Sequence, residues 1–295
     1  MRRPSGVSFY VIMKKAESIS EIRNLVQELK SQGKKVAFVP TMGALHDGHL
    51  SLIKMAHKHA DAIVVSIYVN PEQFAPHEDF GTYPRTIEAD LKLCEKENVA
   101  VVFMPDTETM YGSEKKYMSI DIEELNVHLD GGSRPGYFQG IALVVNKLFN
   151  IVNPDVAVFG QKDYQQYRVI EQMVKEFNHD VELLMAPIGR AEDGLALSSR
   201  NMYLSGEERA IAPSLHRALT YVAQQIENGV MEPELLITHQ KDELEAKGFK
   251  NDYLTVCSLD NLQPVTSLSK NNKYVLAIAA YLGKTRLIDN LIIET

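Results

Sequence analysis

Three observations predict an α/β fold, with a parallel-sheet domain first and a smaller α+β domain after it, for this 295-residue chain. Strand-like and helix-like segments alternate as far as residue 188. The first strand-like runs are continuously apolar, the pattern of strands covered on both faces. Beyond residue 188 the alternation stops, and a polar connection leads to helices and then to short strands.

Residues 17 to 32 carry Ile19, Ile22, Leu25, Val26 and Leu29 at spacings of three and four, which predicts an amphipathic helix closed by Gly33. Val36 to Val39 is the first buried strand, ended by Pro40 and Gly43, and Leu50 to Ala60 continues as a helix. Ala62 to Val69 is the second strand, stopped at Asn70-Pro71. A polar loop with aromatics follows as far as Arg85. Thr86 is placed to N-cap a helix running through Asn98, with Ile87, Leu91 and Cys94 on one face. Val99 to Met104 predicts a third strand, and residues 106 to 137 read as irregular. Phe138 to Val152 is apolar almost all round, hence a buried helix, and Asn153-Pro154 stops it.

Val156 to Phe159 is the fourth strand, ending in Gly160. A helix from Asp163 to Asn178 and a strand from Val181 to Ile188 complete the series. The alternation implies right-handed crossovers, with the ligand crevice at the carboxyl ends of the strands. In the second part, helices are expected near 205 to 228 and 231 to 247, and strands at Tyr253 to Cys257, Tyr274 to Ala280 and Arg286 to Ile293. The expected division is 1–12 as an N-terminal extension, 13–188 as the first domain and 189–295 as the second.

Composition narrows the function. Hydrophobic residues make up 45% of the chain, enough for a large core without covalent staples. A net charge of −8 argues against a nucleic-acid surface and against an anionic membrane. Only Cys94 and Cys257 occur, far apart and without CxxC spacing, so a reducing cytoplasm is the simpler expectation. No apolar run reaches the roughly 18 residues of a membrane span. Arg2 and Arg3 before Val7 to Met13 imitate a secretion signal, but the run is short and no small-residue cleavage site follows. Met13 is therefore expected to be the true start, or residues 1 to 12 an extension.

Four polar strings fall at predicted strand ends or at the domain junction. The first is Pro40-Thr41-Met42-Gly43-Ala44-Leu45-His46-Asp47-Gly48-His49, a small-residue turn opening a helix. Free N–H groups and the positive dipole end make such a turn a phosphate seat, and two imidazoles add donors. The bland alternative is an ordinary hydrogen-bonded histidine pair; a zinc reading lacks a third ligand. The second, Gly160-Gln161-Lys162-Asp163-Tyr164-Gln165-Gln166, offers Lys162 to a phosphate, or is merely a solvated helix start. The third, Leu197-Ser198-Ser199-Arg200-Asn201, can wrap a triphosphate with Arg200 as a fork of donors, or is a capped turn. The fourth, Val69-Asn70-Pro71-Glu72-Gln73-Phe74, brings Gln73, which with Gln166 suits a hydroxy acid whose carboxylate must stay nucleophilic. Carboxylates near the site include Glu72, Glu78, Asp79 and Asp90, and one of them can assist a magnesium ion held mainly by phosphate oxygens. No P-loop, HExxH or GxGxxG is present.

HxGH after a strand resembles the nucleotidyltransferase superfamily signature. The longer string resembles the pantothenate synthetase (pantoate–β-alanine ligase) family, as do YPRT at Tyr83 to Thr86, Asn146 to Asp155, and Thr285-Arg286-Leu287-Ile288-Asp289-Asn290 near the end. The resemblance implies a Rossmann-like domain with a smaller C-terminal lid, usually a homodimer. It implies ATP contacts from Met42 to His49, Gly160 to Asp163, Gly189 and Leu197 to Arg200, with Pro40 beside them. His49 would be the proton donor, acting with His46, Lys162 and Arg200. Gln73 and Gln166 would hold pantoate and β-alanine, Mg2+ would accompany ATP, and Asp90 would be the candidate metal contact. Two departures stand out. Tyr137 occupies a position where the family has His, and Gly189 one where a β-branched residue is common. Three rivals remain open: an adenylyltransferase, a class I tRNA synthetase, and a nucleotide-binding module without catalysis.

Overall fold

The computed structural model describes residues 12–76, 78–113 and 118–295. The expected N-terminal extension lies outside the described residues, Ile12 apart. Through residue 186 the elements are β1 (Lys14–Ala16), α1 (Ile19–Ser31), β2 (Val36–Thr41), α2 (Asp47–His59), β3 (Ala62–Ile67), α3 (Ile87–Lys96), β4 (Val101–Phe103), α4 (Thr107–Tyr111), α5 (Asp130–Ser133), α6 (Tyr137–Val152), β5 (Val156–Gly160), α7 (Tyr164–Glu176) and β6 (Glu182–Ala186). All six strands pair in parallel, in the order β1-β4-β3-β2-β5-β6.

Val36, Ala37, Phe38 and Val39 have no exposed surface, and neither do Ile63, Val64 and Val65. Helices cover both faces of these strands, which is why the sequence there carries no polar alternation. Each of the valine, isoleucine and phenylalanine side chains among them contributes roughly 1.5–3 kcal/mol by leaving water. The helix predicted over 17–32 is α1; Ser18 and Glu21 close its start as a capping box, and Gly33 takes φ +74° just past its end.

Three expectations are corrected. Pro40 does not end β2, which runs on through Thr41, because a proline at a strand's carboxyl end has little ladder left to interrupt. β1 has no counterpart among the expected strands; three residues are too few to show a period, and pairing with β4 makes this a strand. The stretch expected to be irregular, 106 to 137, holds two short helices, α4 and α5.

After a polar connection come α8 (Gly206–Ile211), α9 (Ser214–Glu227), α10 (Glu234–Ala246) and an antiparallel meander of β7 (Phe249–Ser258), β8 (Lys273–Leu282) and β9 (Thr285–Glu294). Leu215, Leu219, Val222 and Ile226 of α9 share a core with Leu276 and Ile278 of β8. Alternate residues of the same strand, Val275 and Ala277, join the core of the first domain. The small sheet is therefore apolar on both faces and is docked, not merely tethered. No helix among the described residues is long and apolar enough to cross a membrane.

Candidate active site

With the edge strand β1 set aside, the strand order reverses between β2 and β5. In open parallel sheets, chains leaving two such neighbours part in opposite directions and leave a crevice at their carboxyl ends. The histidine string follows β2, and the Gly160 to Asp163 string follows β5. A cavity of about 200 Å³ lies there. Tyr137, Lys162, Asp163, Ser198 and Arg200 line both this cavity and a wider cleft of about 960 Å³ between the domains.

His46 is the N-cap of α2, with its Nδ1 accepting the Gly48 N–H at 3.1 Å. His49 Nδ1 accepts the His46 N–H at 3.3 Å. A backbone N–H can only donate, so a neutral ring in either place carries its proton on Nε2. Burial, then the Lys162 charge, pushes the His46 pKa down to about 4; burial, then His46 and Lys162, pushes that of His49 down to about 3. Both rings are thus neutral donors near pH 7. Gly48 has no room for a side chain, since a Cβ there would sit 2.8 Å from the His46 ring.

Gln73 lies on a 3₁₀ turn, Pro71–Gln73, and is only 8% exposed. Its orientation is inherited from Asn70. The backbone N–H of Glu72 and the Tyr111 hydroxyl donate to Asn70 Oδ1. Asn70 Nδ2 therefore donates to the Gly140 carbonyl and to Gln73 Oε1, the latter at 3.0 Å. That turns the Gln73 amide so that its N–H groups are the ones left for a ligand carboxylate or hydroxyl. Gln166 is on the cavity wall. Its neighbour Gln165 is buried, accepting from the Asp130 N–H and donating to the Leu125 and His128 carbonyls.

Arg200 and Ser199 arrive on a 3₁₀ turn, Ser199–Tyr203, and Tyr83 bonds the Ser199 hydroxyl at 3.2 Å. Arg200 is paired with Asp79. Arg134 is paired with Glu78, its guanidinium carbon 3.4 Å from the centre of the Tyr137 ring. Tyr137 is thus a stacking platform where the two cavities meet. Burial raises its pKa and keeps the hydroxyl protonated.

Of the residues expected at the site, Pro40, Met42, His46, Gly48, His49, Gln73, Gly160, Lys162, Asp163, Gln166, Gly189 and Leu197 to Arg200 line the inner cavity. Six others do not. Asp47 is exposed at the start of α2. Gln161 turns its amide to Asn290. Gly43, Ala44 and Leu45 are buried, with positive φ at Gly43 and Ala44. The turn is a nest of N–H groups, and it is filled by Asp90. Asp90 takes the N–H groups of Ala44 at 2.9 Å and Leu45 at 2.8 Å, and the Thr86 hydroxyl at 3.1 Å.

Asp90 is therefore corrected from candidate metal contact to loop anchor: it is 1% exposed and both its oxygens are occupied. Thr86, at the N-cap position, spends its hydroxyl on Asp90 rather than on the helix start. Tyr68, Tyr83, Val144 and Leu148 also line the cavity and are absent from the residues expected there. They are apolar or aromatic residues of a kind found throughout the core, so nothing local marks them.

The family model for pantoate-beta-alanine ligase matches residues 14–292. The pantothenate synthetase of Pseudomonas fluorescens is 46% identical over 280 residues, 95% of this chain and 97% of that protein. The pantoate–beta-alanine ligase of Schizosaccharomyces pombe is 46% identical over 271 residues, 92% and 95% of the two chains. The crystal structure of pantothenate synthetase from Thermus thermophilus superposes with a TM-score of 0.88 at 38% identity, covering 96% of this chain and all of that one. The pantoate-beta-alanine ligase of Francisella tularensis, solved with beta-gamma ATP and beta-alanine, gives a TM-score of 0.79 at 34% identity, covering 95% and 97%. With a parallel sheet of this order, the histidine string at its switch point and these likenesses over almost its whole length, the chain belongs to the pantoate–β-alanine ligase family.

Proposed function

We infer that this chain condenses pantoate with β-alanine at the expense of ATP, giving pantothenate, AMP and pyrophosphate through a pantoyl adenylate. The observation that carries the reading is the cavity at the switch point. It has neutral imidazole donors and Lys162 on one side and the glutamines Gln73 and Gln166 on its wall. The ATP phosphates lie along the start of α2 and beside Lys162, with Ser198, Ser199 and Arg200 closing over them. Gln73 donates to pantoate without the full charge of a lysine, which would hold its carboxylate tightly and blunt its attack on the α-phosphate. The Nε2–H groups of His46 and His49 and the Lys162 ammonium meet the negative charge that develops on the α-phosphate and the departing pyrophosphate. His49, neutral as it stands, acts by hydrogen bond. The β-alanine amine then displaces AMP from the acyl carbon, and enclosure by the second domain keeps water off the adenylate.

Mg2+ enters with ATP. No group of three or more His, Cys, Asp or Glu that could cage a metal exists among the described residues, which fits an ion held by phosphate oxygens and water. When bound, it neutralises phosphate charge and orients the leaving pyrophosphate. The working division is a nucleotide- and pantoate-binding unit from 13 to 188 and a covering unit from 189 to 295. The assembly is a homodimer in the cytoplasm.

A phosphorus NMR time course with Mg-ATP and D-pantoate tests the reading. AMP and pyrophosphate should accumulate with β-alanine present, and only about one equivalent should form without it. Pyrophosphate release independent of both acid and amine would sink it, as would ATP binding without turnover.

A further inference from the structure

The string Thr285 to Asn290 lies far from the other motifs in sequence and has no part in the reaction as described so far. In the structure it forms the start of β9, in the second domain. Two of its side chains reach in opposite directions, as neighbours on a strand must. Asp289 accepts both Nη groups of Arg190, at 2.6 and 2.9 Å, and so ties down the connection that leads from Gly189 to Leu197. Asn290 is 3% exposed and faces the turn after β5. Its Nδ2 donates to the carbonyls of Gln161 and Lys162, both at 3.0 Å, and its Oδ1 accepts from Gln161 Nε2 at 3.3 Å. Among the described residues, the three polar contacts of the amide are all to the two residues that set the path of the backbone under Lys162.

The turn has little other means of holding its shape. Gln161–Asp163 is a single 3₁₀ turn between β5 and α7, and it carries no side-chain cap. Among the described residues, the Lys162 ammonium has a single side-chain contact, to Asp163 at 3.5 Å. An ammonium on a four-carbon stem places its charge no better than the backbone beneath it.

We propose that Asn290 is a positioning residue for Lys162, by which the C-terminal domain sets the place of the phosphate-binding ammonium during adenylate formation. The inference rests on Lys162 contacting ATP phosphate, as described above. It predicts a split between the two half-reactions. Removing Asn290 impairs the step in which phosphate charge develops. It spares the attack of β-alanine on an adenylate already formed.

The test uses the full-length enzyme as Asn290→Ala, Asn290→Asp and Lys162→Ala. Adenylation is read as pantoate-dependent ATP–pyrophosphate isotope exchange, and the second step as β-alanine attack on enzyme-bound pantoyl adenylate. Asn290→Ala is expected to lower exchange by about tenfold, the effect of losing one or two hydrogen bonds, with the second step within about twofold of the parent. Asn290→Asp is isosteric and keeps the proposal testable should the alanine variant fail to fold. It sets a carboxylate against two carbonyl oxygens and is expected to lose exchange as severely.

Exchange near the parental rate in Asn290→Ala, with exchange abolished in Lys162→Ala, overturns the positioning role and leaves the ATP site standing. Parental exchange in Lys162→Ala overturns both. Equal loss of the two half-reactions marks Asn290 as merely structural and also overturns the proposal.

Discussion

Asp79 grips Arg200 at two points: Nε reaches Oδ2 at 3.1 Å and Nη2 reaches Oδ1 at 2.8 Å. Burial opposes ionisation of Asp79, but the hydrogen bond and charge of Arg200 outweigh it and hold the carboxyl below its usual range. The guanidinium expected to meet the triphosphate is already neutralised by a carboxylate from the loop after β3.

On the proposed reading, in which Arg200 meets the triphosphate, ATP competes with Asp79 for the guanidinium. Asp79→Asn is expected to tighten ATP binding several-fold by calorimetry, while lowering unfolding free energy by about 1–2 kcal/mol for the lost pair. Unchanged or weaker binding would show that the pair persists beside the nucleotide.

The histidine pair makes a pH prediction. Unfolded imidazoles titrate near 6.5, whereas the folded values are pushed down to about 4 and about 3. Below pH 6.5 the unfolded chain takes up protons that the folded chain refuses. Stability is fully present above that pH and falls as the pH drops towards 4 and 3. The variant His46→Gln/His49→Gln should lose distinctly less stability than the parent between about pH 7 and about pH 5, followed by urea midpoints. Identical losses would refute the neutral-ring assignment, as would imidazole nitrogen shifts showing Nδ1–H.

Gly140 links packing to substrate. A Cβ added there would collide with the Glu72 carbonyl, so α6 lies backbone to backbone on the turn that carries Gln73. The Gly140 carbonyl also anchors Asn70. Gly140→Ala is expected to cost about 1–3 kcal/mol by overpacking. It should also raise the KM for pantoate more than the KM for ATP. Equal effects on the two constants would break the link to Gln73.

Asp90 separates anchoring from metal binding. Asp90→Ala leaves two buried N–H groups, those of Ala44 and Leu45, without an acceptor. That should cost about 2–5 kcal/mol. At a temperature where the variant is folded, its dependence of rate on Mg2+ concentration should match that of the parent. A large shift in the Mg2+ requirement would restore Asp90 as a metal contact.

Sequence by itself determined the order of most elements, the parallel sheet, and the strings that surround the crevice. These depend on local physics: periodicity shows which faces are covered, and Gly, Pro and Asn mark where the chain turns. It placed His46, His49 and Lys162 together because strand ends in such a sheet share one edge, and it set Arg200 beside them only through its string at the domain junction.

What it left open was decided by contacts between distant residues. The Arg200–Asp79 pair spans 121 positions, Asp90 reaches Ala44 over 46, and Asn290 reaches Lys162 over 128. Gln165 and Gln166 are identical in type and adjacent in sequence, yet one braces the loop around Asp130 and the other lines the cavity. Carboxylates and amides carry no periodic signal of their own. Whether each serves as anchor, gate or ligand contact depends on which donor the folded chain brings within about 3 Å, and only the tertiary structure sets that.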